Sequence, residues 1–392
     1  MCAVSHGEDF LSLCLQITGM GKVQGFALKR QPSGPSSQAI LGRSVLQAPA
    51  APALQTRAAS EASLSQPAKR STRIRWNMGP CQHRTWLSAL RKTGLEAEFC
   101  NLMQWRGFQF GSRRVAIKMK DFCHDKYELA RELLQTPSLS STMPETYLSV
   151  EDFVASRRNV DGLWFLKLSD VDYGCGVRPF QGPKTEEELH DLLELAFLEA
   201  SQSVTALRKA KGCKPRPVGR QIVIQRAVES PLADGHKEDF RVYVCCTASS
   251  PRKIFVYQKI GVRKAPKPMN PMHGLSRASH CTHYGRITPA ASSMDYRHYD
   301  VIFPKLCASI AEVMLHFSPS LEEGSAVLLG MDFICDESLK PWLLEINQVP
   351  RICYDDPHVQ AWTEGMAMDF MQLVVLPEFG QKEKCQTLWS LV

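Results

Sequence analysis

An α+β chain is expected from a late hairpin of apolar strands, further strand patterns after residue 220, and helical patterns around them. Near the C-terminal end, Gly330-Met331-Asp332-Phe333-Ile334 and Pro341-Trp342-Leu343-Leu344-Glu345-Ile346-Asn347 read as two apolar strands sharing one polar face. The link between them, residues 335–340, is short and polar, as a hairpin turn should be. Further strand patterns occupy 221–228, 240–247 and 253–260, and helical spacing fits 84–95, 121–134, 185–200, 304–316 and 359–376.

Taken in order, residues 10–60 contain no Asp or Glu and are rich in Ala, Ser, Pro and Gln. Such a stretch buries too little surface to fold alone, so 1–70 is expected to be a disordered leader. Its Arg content without acids leaves an organellar transit peptide open. Residues 71–150 read as a small N-terminal α/β domain holding the helices 84–95 and 121–134. Residues 151–228 read as a central lobe. It opens after a helix whose first turn is Ser149-Val150-Glu151-Asp152, continues in an apolar strand over 163–169, and has a glycine-bearing loop over 170–176. The helix 185–200 opens with Thr185 and Glu188 in capping-box spacing. Residues 209–220 are basic, with Gly and Pro, and suit a surface loop. Residues 229–380 form a C-terminal lobe ending in the acid-bearing hairpin, and 381–392 a tail.

Composition narrows the class. The 392 residues allow two or three domains; 44% hydrophobic and 22% charged residues describe an ordinary soluble protein. A net charge of +7 suits a polyanionic peptide. No RNA-recognition or helix-turn-helix signature accompanies it, so nucleic acid is not an expected partner. Fourteen scattered cysteines with no CxxC pair indicate reduced thiols in a cytosolic setting. His280-Cys281-Thr282-His283 has no second half at zinc spacing. No stretch approaches the ~18–20 apolar residues of a membrane span. The apolar segment 10–17 follows Glu8 and Asp9 and lacks a basic flank, which argues against a secretory signal.

Folding the hairpin about its middle sets Asp332 opposite Glu345, with Asn347 two residues on and on the same face. Two carboxylates and an amide oxygen are hard donors, suited to Mg²⁺ that grips nucleotide phosphates; the alternative is a solvated hairpin with ordinary surface acids. Upstream, Trp164-Phe165-Leu166-Lys167 runs into Tyr173-Gly174-Cys175-Gly176-Val177, a strand, a lysine and a loop whose backbone could approach phosphate. Gln225-Arg226-Ala227-Val228 leaves a buried strand and can offer backbone groups to a base edge, or simply be core. Lys237, Asp239 and Arg241 share one face of a strand and Phe240, Val242 and Val244 the other. The charged face is either solvated or a phosphate and substrate clamp that Arg263 on the next strand joins.

These segments resemble the tubulin tyrosine ligase-like family, ATP-grasp amino-acid ligases that modify tubulin tails. The likeness covers roughly 101–376 and is strongest over 223–263 and 329–352. The stretch Val228-Glu229-Ser230-Pro231-Leu232-Ala233-Asp234-Gly235-His236-Lys237-Glu238-Asp239-Phe240-Arg241-Val242-Tyr243-Val244 looks like the family's "enPllidGrKfDlRvyv". Gly330-Met331-Asp332 and the run from Pro341 to Pro350 look like its "GfD…PWLLEvNxxP".

The resemblance implies an ATP-grasp architecture, with antiparallel sheets, helices and a nucleotide held between two α+β lobes. ATP and Mg²⁺ would be the cofactors. Lys167 and Lys237 would touch phosphates, with Tyr173, Gly174 and Gly176 in the glycine loop. Gln225, Arg226, Ala227 and Val228 would line the adenine, and Asp239 would hold ribose or the metal surroundings. Asp332, Glu345 and Asn347 would carry the metal. Arg241 and Arg263 would bind the incoming amino acid's carboxylate or steady the reacting carboxyl group, acting with Glu345 as the catalytic set. A further ATP lysine is expected after Arg106-Gly107, where Lys120 is chosen over Arg114 and Lys118.

Five departures touch this pattern, one of them a shortened lysine-bearing insertion after the family's Thr-Asn element. Leu168 stands where Pro often follows the lysine, and Tyr173 where relatives carry Arg. Cys281-Thr282-His283 stands for Leu-Thr-Asn, and Gln348-Val349-Pro350-Arg351 for Ser-Ser-Pro-Ser. The implied activity is ATP-dependent addition of an amino acid, glutamate by preference, to acidic tails of tubulin or a similar protein through an acyl phosphate. The alternatives are a silent ATP- and microtubule-binding relative or a ligase for tyrosine or glycine. A monomer in the cytoplasm, on the cytoskeleton or in a cilium or flagellum is implied, with tubulin or microtubules and a free amino acid as partners and no membrane.

Overall fold

The computed structural model describes residues 73–78, 82–100, 106–110, 113–117, 125–156, 161–169, 171, 176–210, 214, 217–248, 251–269, 275–380 and 387–392. The leader expected over 1–70, and Lys118, Lys120, Tyr173 and Gly174, lie outside them, as does the side chain of Arg114. Ser71–Val392 forms one compact unit.

The unit opens with β1 (Arg73–Asn77), α1 (His83–Lys92), β2 (Glu96–Phe99), β3 (Gly107–Phe110), β4 (Arg113–Ile117) and α2 (Lys126–Gln135). α1 stops three residues short of its expected end. Thr93 Oγ1 takes the Leu90 carbonyl at 2.6 Å, and Gly94, at φ +74°, turns the chain into β2. α2 starts at the N-cap Asp125, whose carboxylate accepts from the Tyr127 and Glu128 amides.

Next come β5 (Thr146–Tyr147), α3 (Val150–Ala155), β6 (Gly162–Leu168), β7 (Val177–Gly182), α4 (Glu186–Ala210) and β8 (Ile222–Arg226). The capping box forms as its spacing predicts: the Thr185 amide donates to Glu188 at 2.8 Å and the Glu188 amide to Thr185 Oγ1 at 3.1 Å. From that start α4 runs ten residues beyond the expected 200, taking in Lys209. β5, β8, β6 and β7 make a separate four-stranded sheet in that order.

The rest of the chain gives β9 (Glu238–Thr247), β10 (Lys253–Tyr257), β11 (Ile260–Lys264), a short turn of helix at Arg277–His280, β12 (Arg286–Ala290), α5 (Tyr299–Phe317), β13 (Ser325–Cys335), β14 (Pro341–Asn347), α6 (Pro357–Phe370) and β15 (Trp389–Leu391). The run read as one strand over 253–260 divides, since β10 and β11 each pair antiparallel with a different part of β9. α5 begins five residues before Pro304, which sits inside the helix, so proline here marks no start.

Eleven strands among the described residues form the larger sheet, whose main path is β12-β11-β9-β13-β4-β3-β1-β2. The join is a parallel pairing of Ser325 with Ala116 and Ala326 with Ile117. One sheet therefore spans the boundary expected near residue 150. Each face is buried. Val242, Val244, Leu329 and Met331 pack with α5 in one core, and Tyr243, Cys245 and Leu328 pack with Trp86 of α1 and Trp362 and Phe370 of α6 in the other. Contrary to expectation, the helical run Tyr299–Ser320 is long and apolar enough to cross a membrane. Its Ile302, Leu306, Ile310, Val313 and Met314 are fully buried against the sheet, while Val301 and Leu315 of the same helix are exposed.

Candidate functional site

The acid-bearing hairpin pairs in the predicted register. Asp332 faces Glu345 across β13 and β14, and Gly330 faces Asn347, with a bulge between Asp332 and Phe333. Asn347 Nδ2 donates to Glu345 Oε1 at 3.0 Å and to Asp332 Oδ2 at 3.4 Å. On its other side Asp332 faces Arg241 of β9, and Asp239 of β9 faces Arg263 of β11. Four adjacent strands thus bring Glu345, Asp332, Arg241 with Asp239, and Arg263 side by side.

Arg241 grips Asp332 with two nitrogens, Nη2 reaching Oδ2 at 2.9 Å and Nε bonding Oδ1. Arg263 holds Asp239 likewise, at 2.6 and 2.8 Å, and its Nη2 lies 3.1 Å from Asp332 Oδ2. The Thr282 hydroxyl also donates to Asp239. All of these side chains are buried, so each charge depends on its partner. Burial opposes the positive charge of both arginines, yet Asp332 beside Arg241 and Asp239 beside Arg263 keep them firmly protonated. Burial raises Asp332 to about 6 against the pull of Arg241 and Arg263, with the Glu345 charge adding to the rise. Glu345 resists the same burial and is held well below the usual carboxylate range by Lys126, with the hydrogen bond from Asn347 and the Arg241 charge adding to the fall.

The smaller sheet supplies the facing wall. The Lys167 ammonium of β6 donates to Gln225 of β8, whose amide donates to Thr146 Oγ1 at 3.0 Å. Lys237 donates to the Val228 carbonyl at 3.5 Å and stands 5.8 Å from the Phe165 ring centroid. Desolvation pushes Lys167 down to about 8, with Glu345 pulling the other way, and lowers Lys237 too. The two walls enclose a cavity of about 260 Å³ that these residues line with His283 and Arg351. His283 keeps solvent-accessible surface, yet desolvation and then the Arg263 charge push it down to about 4. Exposure and desolvation disagree here, but the nearby cations Arg263, Arg241 and Lys126 act in the same direction, so a neutral ring stands.

Gln225, Arg226 and Val228 line the cavity, but some backbone groups expected at the base edge are engaged within the protein. The Arg226 and Ala227 amides are already taken by the Glu145 and Leu163 carbonyls, both at 2.9 Å. The Arg226 guanidinium pairs with Glu145 at 3.4 Å. Gly176 fills a packing need, since a Cβ there would meet Leu168 Cβ at 2.8 Å. Sequence reasoning missed Lys126, whose Nζ lies 3.7 Å from Glu345 Oε2. It also missed Gly330, where a Cβ would meet Pro350 Cβ at 2.8 Å and Arg241 Nη1 at 3.0 Å. The Asp125 cap next to Lys126 was the available signal, because it fixes where α2 begins.

The donor set fits a hard divalent cation: two carboxylates and an amide within hydrogen-bond reach of one another, at the edge of a lysine-lined cavity. A small sheet closing over an acid-bearing larger one is how an ATP-grasp protein is built, and this chain has that architecture. A family model described as YheC/D like ATP-grasp matches residues 117–365. The chain is 27% identical over 325 residues to a probable tubulin polyglutamylase TTLL2 of Mus musculus, covering 74% of this chain and 54% of that protein. It is 28% identical over 209 residues to tubulin polyglutamylase TTLL13 of Homo sapiens, covering 43% and 25%. Among solved structures, the C-terminal domain of K. lactis Pby1, an ATP-grasp enzyme interacting with the mRNA decapping enzyme Dcp2, superposes with a TM-score of 0.51 at 13% identity, over 82% of this chain and 97% of that one. The chain belongs to the ATP-grasp family, and the relatives it resembles in sequence are tubulin tyrosine ligase-like proteins. It spans about half the length of the mouse relative.

Proposed function

We propose that the protein is an ATP-dependent ligase joining an amino acid, glutamate by preference, to carboxylates on the acidic tail of tubulin or a similar protein. The observation that carries this reading is the convergence of Asp332, Glu345 and Asn347 with Lys126, Lys167 and Lys237 on one cavity. The relatives named as tubulin polyglutamylases support the choice of substrate. Cytoskeletal or ciliary placement and action as a monomer belong to the same proposal.

A carboxylate is a poor electrophile, so its oxygen first attacks the γ-phosphorus of ATP and ADP departs. The amine nitrogen of the amino acid then attacks the acyl carbon, phosphate leaves, and the amine gives up a proton. Asp332, Glu345 and Asn347 would hold Mg²⁺, which when bound would supply charge neutralisation at the phosphates. Lys167 and Lys237 present ammonium groups to the phosphates, and burial lowers the pKa of both. Arg241 and Arg263 fix the carboxylates of Asp332 and Asp239 in place, while Asn347, whose Nδ2 now faces Asp332 and Glu345, would turn its amide oxygen inward to join a metal.

The test is mass spectrometry of tubulin tails after incubation with protein, ATP, Mg²⁺ and glutamate, tyrosine or glycine in turn. A mass increase with glutamate is expected. No increase with any amino acid, alongside measurable ATP binding, would replace the ligase with a nucleotide-binding partner of microtubules.

A further inference from the structure

We infer that Arg351 is the acceptor-recognition residue of this cavity, binding a carboxylate of an acidic peptide at the outer rim. The nature of the acceptor rests on the ligase reading above; the anion site rests on the following geometry.

The cavity's other cations are engaged. Arg241 and Arg263 hold Asp332 and Asp239, Lys126 faces Glu345, and Lys167 and Lys237 bond Gln225 and the Val228 carbonyl. Arg351 lines the same cavity four residues past Asn347. It is exposed, and among the described residues no carboxylate pairs with it. Its Nε donates to the Cys353 carbonyl at 3.0 Å, and its guanidinium carbon lies 4.9 Å from the Tyr354 ring centroid.

The backbone carrying Arg351 is pinned on both sides. Gln82 Nε2 donates to the Pro350 carbonyl at 2.7 Å, Tyr243 Oη to that of Arg351 at 2.7 Å, and Thr85 Oγ1 to that of Ile352 at 2.6 Å. Arg84 takes the Tyr354 carbonyl. A cation on so fixed a support loses little freedom when it binds. The planar guanidinium fork matches a carboxylate, and stacking on Tyr354 orients it. An exposed position meets a ligand arriving from solvent on a macromolecule, whereas nucleotide, on the ligase reading, would sit against Lys167 and Lys237.

The test uses the full chain with Mg²⁺, a non-hydrolysable ATP analogue and a fluorescein-labelled poly-glutamate peptide, read by anisotropy. R351S is expected to weaken peptide binding about tenfold, the loss of one charged hydrogen-bonded contact. R351K should restore part of it. ATP-analogue affinity and the thermal midpoint should match wild type in both variants, which a general structural defect would not allow. In turnover, KM for the acceptor should rise while KM for the free amino acid holds. Peptide affinity within twofold of wild type in R351S, a wild-type chain that does not bind the peptide, or a rise confined to the amino acid's KM overturns the inference. If no amino acid is transferred yet R351S still loses peptide binding, the ligase reading fails and the anion site stands.

Discussion

Arg241 and Asp332 lie directly opposite each other on β9 and β13 and meet through two parallel hydrogen bonds in the interior. The pair does two things at once: it buries a charge safely, and it aims a carboxylate at the cavity. Asp332→Asn keeps the shape but leaves the Arg241 guanidinium short of its counter-charge. Breaking a buried pair from one side costs about 3–5 kcal/mol, so urea denaturation should show a loss of that order. A change below about 1 kcal/mol would mean that solvent or a rearranged partner compensates.

Glu345 offers a cleaner separation of fold from chemistry. It is half-buried and its partners are Asn347 at 3.0 Å and Lys126 at 3.7 Å. Glu345→Gln retains size and removes the charge, so the folded state should survive while the Mg²⁺-dependent part of nucleotide binding falls on the order of 100-fold. Titrating Mg²⁺ at fixed ATP checks this, and wild-type metal dependence in the variant would remove Glu345 from the donor set.

Gly330 is required by crowding. It sits opposite Asn347 in the hairpin, with Pro350 on one side and the Arg241 side chain on the other. A proline ring cannot swing away as a flexible side chain can, so Gly330→Ala should force the segment after Asn347 outward. Overpacking of this kind costs about 1–3 kcal/mol, and the variant should lose nucleotide affinity along with stability. Isothermal titration set beside a denaturation curve measures both; a fully stable variant with normal affinity would mean the segment shifts freely.

The acid hairpin was readable because strand alternation is local: Asp332, Glu345 and Asn347 fall on one face by counting residues. The Thr185 and Glu188 cap was readable for the same reason. The parallel pairing of β4 with β13 was not, since it joins residues some two hundred positions apart and leaves no periodic trace. The roles of Arg241 and Arg263 were half legible. Alternation places them on the charged face, but only tertiary contact shows their forks already closed on Asp332 and Asp239. Lys126 was hidden for a similar reason, as its partner lies on a distant strand.

Lys167 gives the site a pH dependence of definite sign. Desolvation lowers its pKa to about 8, so the ammonium is charged below that value and neutral above it. Phosphate oxygens bind the charged form, which makes ATP affinity present near pH 7 and progressively lost as pH rises through 8 toward 9. Bound polyanion favours the ammonium, so ATP binding near pH 8 should also take up a proton. Calorimetry in buffers of different ionisation enthalpy reads that uptake. Lys167→Arg keeps its charge throughout this range, and should flatten the pH profile and abolish the uptake. An unchanged profile in that variant would move the titration to another group, with Lys237 next in line because burial lowers its pKa as well.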